Sequence, residues 1–336
     1  MIDVLGLADD LTGALETGAK FGVPVTTGWS IPARESAIVI DTETRHVAPR
    51  EASARVEILA REARERGVRL LYKKTDSTLR GNIGAELGAL LRVFAGARIH
   101  YAPAYPALGR TVRDGVLHVH GVPVSQTSFA RDPLDPIRES HIPSLLAAQC
   151  GQPGIVVYDG ETEEDVRAVA RLLTGLPPPV LAAGPAALAG YLGSAAPAPR
   201  WPVLATALVI NGSLNEVSVR QMEYAEEHGL PGWTILRSDV SDSAGLDRAT
   251  RVGDAVRKLL ESGGPDAVVV FGGDTAFGIL AALGSPLVRP LGEILPGVPV
   301  SRVELPGRTL HLITKAGGFG PPDLLVRLRE LCQSEE

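Results

Sequence analysis

Residues 73–86 read Lys73-Lys-Thr-Asp-Ser-Thr-Leu-Arg-Gly-Asn-Ile-Gly-Ala-Glu86 and follow an apolar run at 68–72. The run is typical of a short buried strand, and the apolar periodicity of 85–94 predicts a helix after the stretch. The stretch is therefore a strand-to-helix turn, where open α/β sheets bind ligands. Its lysines and arginine suit an anion, because arginine can bind one as a two-pronged fork. Alternatively, it is a solvated turn in which residues 76–78 cap the helix.

Polar residues also follow two other predicted strands of the N-terminal half. Asp9 and Asp10 come directly after the first apolar strand, and Arg45 lies in the segment after the second. Paired carboxylates at a strand end can hold substrate hydroxyls, act as a general base or share a metal ion. Either aspartate could instead cap the following helix, and Arg45 could pair with Glu43 on the surface.

Three glycine-containing turns follow predicted strands of the C-terminal half. They are Asn211-Gly-Ser213, Gly272-Gly-Asp-Thr275 and Lys315-Ala-Gly-Gly-Phe-Gly320. Backbone N–H groups in such turns, together with a helix start, can bind phosphate, so we interpret the three turns as a nucleotide site. Any one of them alone could be a tight strand-to-helix connection.

Composition narrows the class of protein. The chain has 336 residues, of which 45% are apolar and 21% charged, as expected for about two ordinary globular domains. The net charge of −6 argues against nucleic-acid binding, and no apolar stretch approaches membrane-spanning length. Cys150 and Cys332 lack metal-ligand spacing and suit a reducing compartment. We therefore expect a cytoplasmic protein with no nucleic-acid partner and no membrane partner, and we assign no residues as metal ligands.

The order of predicted elements indicates the α/β class: two α/β domains with mainly parallel sheets and a ligand cleft between them. Residues 193–202 combine small residues with prolines and are the best linker candidate. We expect an N-terminal domain over 1–198 that binds a small polyhydroxy acid, and a C-terminal nucleotide-binding domain over 203–336. Such a pair is typical of small-molecule kinases, in which Mg²⁺ usually accompanies the nucleotide.

Several motifs, in this order, resemble the four-carbon acid sugar kinases: Ala8-Asp-Asp-Leu-Thr-Gly-Ala14, Asp41-Thr-Glu-Thr-Arg45, residues 73–86 and the three glycine turns. The resemblance covers most of the chain. It implies phosphorylation by ATP, with Mg²⁺, of the terminal (4-) hydroxyl of a sugar acid such as D-threonate or D-erythronate. A 3-oxo-tetronate 4-kinase is one alternative, and a non-kinase sugar-acid enzyme or sensor is another. A homodimer is a possible assembly.

The resemblance also implies roles for individual residues. The expected substrate contacts are Asp10, Arg45, Lys74, Thr75, Asp76 and Ser77. The expected ATP contacts are Ser213, Gly272, Gly273, Asp274, Thr275 and Gly318, and Asp274 could reach Mg²⁺. Our own hypothesis, apart from the resemblance, is that Asp10, Asp76 and Arg80 are the catalytic residues. Asp10 or Asp76 would be the general base, Asp76 being slightly less favoured because it could cap the next helix, and Arg80 would neutralise substrate charge.

Overall fold

A computed structural model describes residues 1–132, 134–151, 153–193, 201–213, 215–236, 246–316, 318 and 320–333, without the side chains of 246–247. The chain divides into two compact units, Met1–Ala195 and Ala196–Glu336, which we call the N-terminal unit and the C-terminal unit. Most of the predicted linker, residues 194–200, lies outside the described residues.

The N-terminal unit is built on a parallel sheet of seven strands in the order β2-β3-β1-β4-β10-β5-β9. Three short antiparallel strands, β6-β7-β8, form a separate sheet. The elements of this unit are β1 (Ile2–Ala8), α1 (Leu11–Phe21), β2 (Val25–Thr27), β3 (Ala37–Asp41), α2 (Pro49–Glu65), β4 (Val68–Lys74), α3 (Ile83–Val93), β5 (Ile99–Tyr101), β6 (Arg110–Arg113), β7 (Val116–Val119), β8 (Val122–Pro123), α4 (Ile142–Gln149), β9 (Ile155–Val157), α5 (Glu163–Thr174), β10 (Val180–Gly184) and α6 (Ala186–Leu192).

The central strands of this sheet are apolar and buried, as expected for parallel strands covered on both faces. Strand β6 was not expected from the sequence. Its residues, Arg110-Thr-Val-Arg113, carry no apolar run, and the strand forms because it pairs with β7.

The C-terminal unit has the strand order β12-β11-β13-β16-β15-β14. The first four strands are parallel and the last two antiparallel. Its elements are β11 (Ala207–Asn211), α7 (Glu216–His228), β12 (Trp233–Leu236), α8 (Leu246–Glu261), β13 (Ala267–Phe271), α9 (Gly273–Ala282), β14 (Val288–Leu295), β15 (Val298–Leu305), β16 (Arg308–Lys315) and α10 (Leu324–Leu331). Its core contains apolar side chains from β11, β13, β16, α7 and α10.

The expected α/β class with mainly parallel sheets is confirmed, and the expected cleft between two domains stays a prediction. In the part of the chain that the structure describes, every helix is too short or too polar to cross a membrane.

Candidate active site

Three segments of the N-terminal unit begin side by side at the carboxyl edge of its sheet. In the sheet register, Ala8 of β1 lies opposite both Asp41 of β3 and Lys74 of β4. The ends of the three strands therefore place the following segments next to one another. These segments carry the side chains of what we call the acid-site cluster: Asp9, Asp10, Arg45, Lys74, Asp76 and Arg80.

Arg45 lies at the centre of the acid-site cluster. Its Nε donates to Oδ2 of Asp9 at 2.7 Å, and its Nη2 donates to Oδ1 of Asp10 at 2.6 Å. The same Nη2 lies 3.7 Å from Oδ2 of Asp76. Only 9% of the Arg45 side chain is exposed, so the alternative of a surface pair with Glu43 is wrong. One guanidinium therefore binds Asp9 and Asp10 through charge-assisted hydrogen bonds and forms a longer ion pair with Asp76 of a second segment.

Lys74 joins the acid-site cluster from β4, whereas the adjacent Lys73 does not. Lys74 Nζ lies 3.2 Å from Oδ1 of Asp10 and 3.5 Å from Oδ1 of Asp9. Successive side chains of a strand point to opposite faces, and Lys73 Nζ lies 3.0 Å from Oε2 of Glu86 on α3. Lys73 therefore supports β4 from the other face of the sheet.

The buried pair of Lys73 and Glu86 extends to the segment that carries Arg45. Thr44 donates its hydroxyl to Glu86, and the Asn82 side chain donates to the Thr44 carbonyl at 2.8 Å. Sequence reasoning missed these supporting residues. One signal was available in the sequence: successive side chains of a strand point to opposite faces of the sheet, so the two adjacent lysines could not both face the site.

Asp76 closes its own turn. Its Oδ1 accepts from the backbone N–H of Thr78 at 2.9 Å and of Arg80 at 3.2 Å, and Arg80 Nη2 donates to Oδ2 at 2.8 Å. The expectation that Asp76 caps the next helix is wrong, because the chain makes a further turn before α3 and Asn82 occupies the cap position. The same observation removes the capping alternative for residues 76–78.

Asp10 is the residue that caps a helix. Its Oδ1 accepts from the N–H of Gly13 at 3.2 Å, and the Thr12 hydroxyl donates to Oδ2. The capping alternative for Asp10 is confirmed, although the same carboxylate also binds Arg45 and Lys74. The Asp10 side chain is 14% exposed and that of the other candidate base 6%, so Asp10 is the more open to a substrate hydroxyl.

Neighbouring cations keep both candidate bases ionised. Burial by itself raises the pKa of Asp10, but Arg45 and Lys74 outweigh burial and hold this pKa below its usual range. Burial of Asp76 is likewise outweighed by Arg80 and Arg45, which hold its pKa well below the usual range. Both carboxylates are therefore negatively charged at neutral pH.

The other predicted substrate contacts lie in the same turn. Thr75 is buried, with its hydroxyl 3.5 Å from the Tyr101 hydroxyl, and Ser77 is half-buried. Arg80 reaches outward to the loop after β8, where its Nη1 lies 3.3 Å from Oδ2 of Asp132. The structure thus brings these residues to the acid-site cluster, and their contacts with substrate stay predictions.

The three glycine turns also begin side by side, at one edge of the sheet in the C-terminal unit. Asn211 at the end of β11 lies opposite Phe271 of β13, which in turn lies opposite Lys315 of β16. The predicted ATP contacts follow these strand ends: Ser213, Gly272, Gly273, Asp274, Thr275 and Gly318. Two residues of the third turn, 317 and 319, lie outside the described residues.

The first two glycine turns pack against each other without space for a side chain. A Cβ on Gly212 would lie 1.9 Å from Oγ1 of Thr275. Gly272 has a φ of 108°, a conformation that favours glycine, and directly precedes α9. The Ser213 N–H donates to the Asn211 side chain at 3.0 Å. Close approach of the two backbones is what a phosphate-binding edge needs.

Two cations that we did not predict as site residues lie at these turns. Arg248 of α8 donates from Nη2 to the Asn211 carbonyl at 3.0 Å. Lys315 Nζ lies 3.3 Å from the Ser218 hydroxyl and 4.5 Å from the centre of the Phe271 ring. The sequence showed Lys315 as the first residue of the third glycine turn. Nothing local in the sequence, however, indicates that Arg248 contacts the first glycine turn.

We expect Gly212→Ala to weaken nucleotide binding by about tenfold or more, because overpacking of this kind typically costs about 1–3 kcal/mol. The added methyl would separate the first turn from Thr275. Calorimetric titration with ADP measures the effect. Gly175→Ala is the control, since its Cβ would meet nothing closer than 3.5 Å. Equal ADP affinities of the two variants would contradict the prediction.

Two family models match the chain. Residues 4–154 match a sugar-binding N-terminal domain, and residues 241–325 match a nucleotide-binding C-terminal domain. The acid-site cluster lies in the first match, and the second and third glycine turns lie in the second match.

Curated relatives align over most of the chain. A D-threonate kinase of Bordetella bronchiseptica is 33% identical, with 96% of this chain and 95% of the relative covered. A D-erythronate kinase of Heliobacterium modesticaldum is 32% identical over 67% of this chain and 61% of the relative. A 3-oxo-tetronate kinase of Methylobacterium radiotolerans is 25% identical, with 97% and 98% covered.

Two solved structures resemble the fold. A Salmonella typhimurium protein aligns with a TM-score of 0.76 at 20% identity, covering 98% of this chain and 99% of that chain. A Bordetella bronchiseptica domain of unknown function, solved with bound citrate as a domain-swapped dimer, aligns with a TM-score of 0.52 at 31% identity, covering 99% and 98%.

Proposed function

The chain belongs to the four-carbon acid sugar kinase family, and from this premise we propose that it transfers the terminal phosphoryl group of ATP to a D-threonate- or D-erythronate-type sugar acid. The acceptor would be the terminal (4-) hydroxyl. The observation that carries the proposal is the acid-site cluster, in which two arginines and a lysine surround two ionised candidate bases.

The cations of the acid-site cluster suit the substrate's carboxylate. Arg45 presents a planar fork and Lys74 a point charge, and both are largely withdrawn from water, where hydrogen bonds to an anion are strengthened. The Bordetella bronchiseptica relative was solved with bound citrate, which is also a hydroxy-carboxylate anion. We propose Thr75, Ser77 and Arg80 as further substrate contacts, because they share the turn that carries Asp76.

We propose Asp10 as the general base. It is ionised and more exposed than Asp76, whose oxygens already accept from the backbone and from Arg80. A substrate carboxylate that contacts Arg45 and Lys74 would share their charge with Asp10 and thereby increase its basicity. Asp10 would then accept the proton of the attacking hydroxyl, while Asp76 positions the turn.

The nucleotide would bind at the three glycine turns through backbone N–H groups and helix N-termini. In the described part of the chain, groups of three or more metal-binding side chains do not occur. A lone exposed carboxylate, Asp274 in the first turn of α9, still suits Mg²⁺, which usually binds through one or two carboxylates and the phosphates. Bound Mg²⁺ would neutralise charge on the phosphates.

The alternatives are separated by one assay. We expect ADP release on adding D-threonate or D-erythronate with ATP and Mg²⁺, and less with 3-oxo-tetronate. Preferential turnover of the 3-oxo acid would indicate that the protein is a 3-oxo-tetronate 4-kinase. A non-kinase enzyme would consume a sugar acid without releasing ADP. A sensor would show a melting shift with the acid and none with ATP and Mg²⁺.

A homodimer is part of the proposal, because the Bordetella bronchiseptica relative was solved as a domain-swapped dimer. Light scattering on the purified chain measures its mass in solution, and a mass of one 35.3 kDa chain would exclude the dimer. A cytoplasmic location stays a prediction.

A further inference from the structure

Lys315 is a fully buried cation at the end of β16. Its Nζ lies 3.3 Å from Oγ of Ser218, in the first turn of α7, and 4.5 Å from the ring centre of Phe271. The first glycine turn leads into α7, Phe271 directly precedes the second turn, and Lys315 itself begins the third. This one side chain therefore contacts, or belongs to, segments that flank all three glycine turns.

The backbone of Lys315 is tied to the same edge. Its carbonyl accepts from the N–H of Gly272 at 3.1 Å, and the N–H of Gly212 donates to the Phe271 carbonyl at 2.7 Å. The three strand ends are thus joined in a row by main-chain hydrogen bonds. A displacement of the Lys315 side chain would be transmitted to the first two turns.

The surroundings of the Lys315 ammonium favour its neutral form. Burial lowers the pKa of Lys315 to about 7, and burial is the only cause of the shift among the described residues. The Ser218 hydroxyl on α7 and the Phe271 ring on β13 face the ammonium, and both are neutral groups.

We propose that Lys315 is a positioning residue for the nucleotide: its ammonium attracts the phosphates into the three glycine turns and takes up a proton as they bind. Phosphate charge placed at the turns would favour the protonated lysine. The inference rests on the proposed function, because it requires a nucleotide at this edge of the sheet.

Proton uptake is the first test. At about pH 8, a lysine that titrates near neutrality is mostly neutral before binding, so we expect ADP with Mg²⁺ to bind with uptake of nearly one proton. Calorimetry of the full chain in buffers of different ionisation enthalpy measures this number. The affinity should fall by up to about tenfold per pH unit above about pH 7. Lys315→Met should bind ADP more weakly, without this uptake or pH dependence.

Three comparisons complete the test. Lys258→Met removes an exposed lysine of α8 and should leave both affinity and proton uptake unchanged. Lys315→Arg keeps a charge that does not titrate, so its ADP affinity should not vary with pH over this range. Without nucleotide, the melting temperature of Lys315→Met measures separately any loss of structure, so that weaker ADP binding by a stably folded variant supports the positioning role.

Each outcome decides one question. If the wild type binds ADP without proton uptake, or if Lys315→Met retains the uptake, the inference about Lys315 is overturned while the proposed function stands. If the wild type binds no ADP, the proposed function itself fails. Absence of proton uptake by the wild type overturns the inference even if neither Lys315 variant folds.

Discussion

Asp10→Asn should lower the turnover number by about 10²- to 10⁴-fold, the usual contribution of a general base, and leave ATP binding nearly unchanged. The amide cannot accept the proton of the attacking hydroxyl. It can still accept the hydrogen bond from the N–H of Gly13 that caps α1, so the helix should remain intact. Steady-state kinetics with the preferred sugar acid measures turnover, and calorimetric titration measures nucleotide affinity.

The control for Asp10→Asn is Asp3→Asn, which neutralises an exposed aspartate on β1, the strand that precedes Asp10. We expect wild-type kinetics from this control. Normal turnover in Asp10→Asn would remove Asp10 from the mechanism and leave Asp76 as the remaining candidate base. Loss of ATP binding in Asp10→Asn would indicate instead that the substitution had disturbed the structure.

Arg45→Met should destabilise the N-terminal unit by about 3–5 kcal/mol, the usual cost of leaving buried charges without their partner. The substitution removes the guanidinium that binds Asp9 and Asp10 and lies near Asp76. Binding of the sugar acid should be lost as well. Hydrogen exchange of the peptides that contain β1 and β3 measures the opening free energy of the N-terminal unit separately from that of the C-terminal unit.

The effect of Arg45→Met should depend on pH. In the wild type, the pKa of Asp10 and of Asp76 is lowered, so the stability that these carboxylates contribute is present above their unfolded pKa and is lost only as the pH falls through the folded values. Without Arg45, the pKa of both carboxyls should rise, although Lys74 still lowers that of Asp10 and Arg80 still lowers that of Asp76, and protonation would relieve part of the excess negative charge. The stability deficit at about pH 7 should therefore shrink toward about pH 5.

Arg69→Met is the matched control, because Arg69 is an exposed arginine on β4. Its opening free energies should equal those of the wild type. The opening free energy of Arg45→Lys should lie between those of Arg45→Met and the wild type, because lysine keeps the charge but cannot bind two aspartates as a fork. Unchanged exchange in Arg45→Met would contradict the central place of Arg45 in the cluster.

Some features could be predicted because they depend on local chemistry. The apolar runs that became β1, β4 and β13 were recognisable from the sequence, and so were the polar turns that follow them. Asp10, Arg45 and Lys74 were predicted to share a site, and the structure brings them together. The carboxyl ends of parallel strands lie at one edge of a sheet, so polar residues just after several strands meet there.

Other features had no local signal. Both Asp10 and Asp76 could be predicted as capping residues, because each follows a strand, and only the backbone path shows that Asp10 caps a helix and Asp76 does not. Strand β6 lacks an apolar run and depends on its pairing with β7. Arg248 reaches the first glycine turn from a helix far along the chain.

The sequence by itself determined the α/β class, the strand ends that carry chemistry and the residue types suited to an anion and a nucleotide, since hydrophobic periodicity and side-chain chemistry are properties of short segments. Only the tertiary structure decided that Arg45 joins Asp9 and Asp10, that Lys73 faces Glu86 rather than the site, and that Lys315 is buried between Ser218 and Phe271. The reason is physical: pairing partners and burial depend on strand order and sheet face, which bring together residues that are distant in the chain.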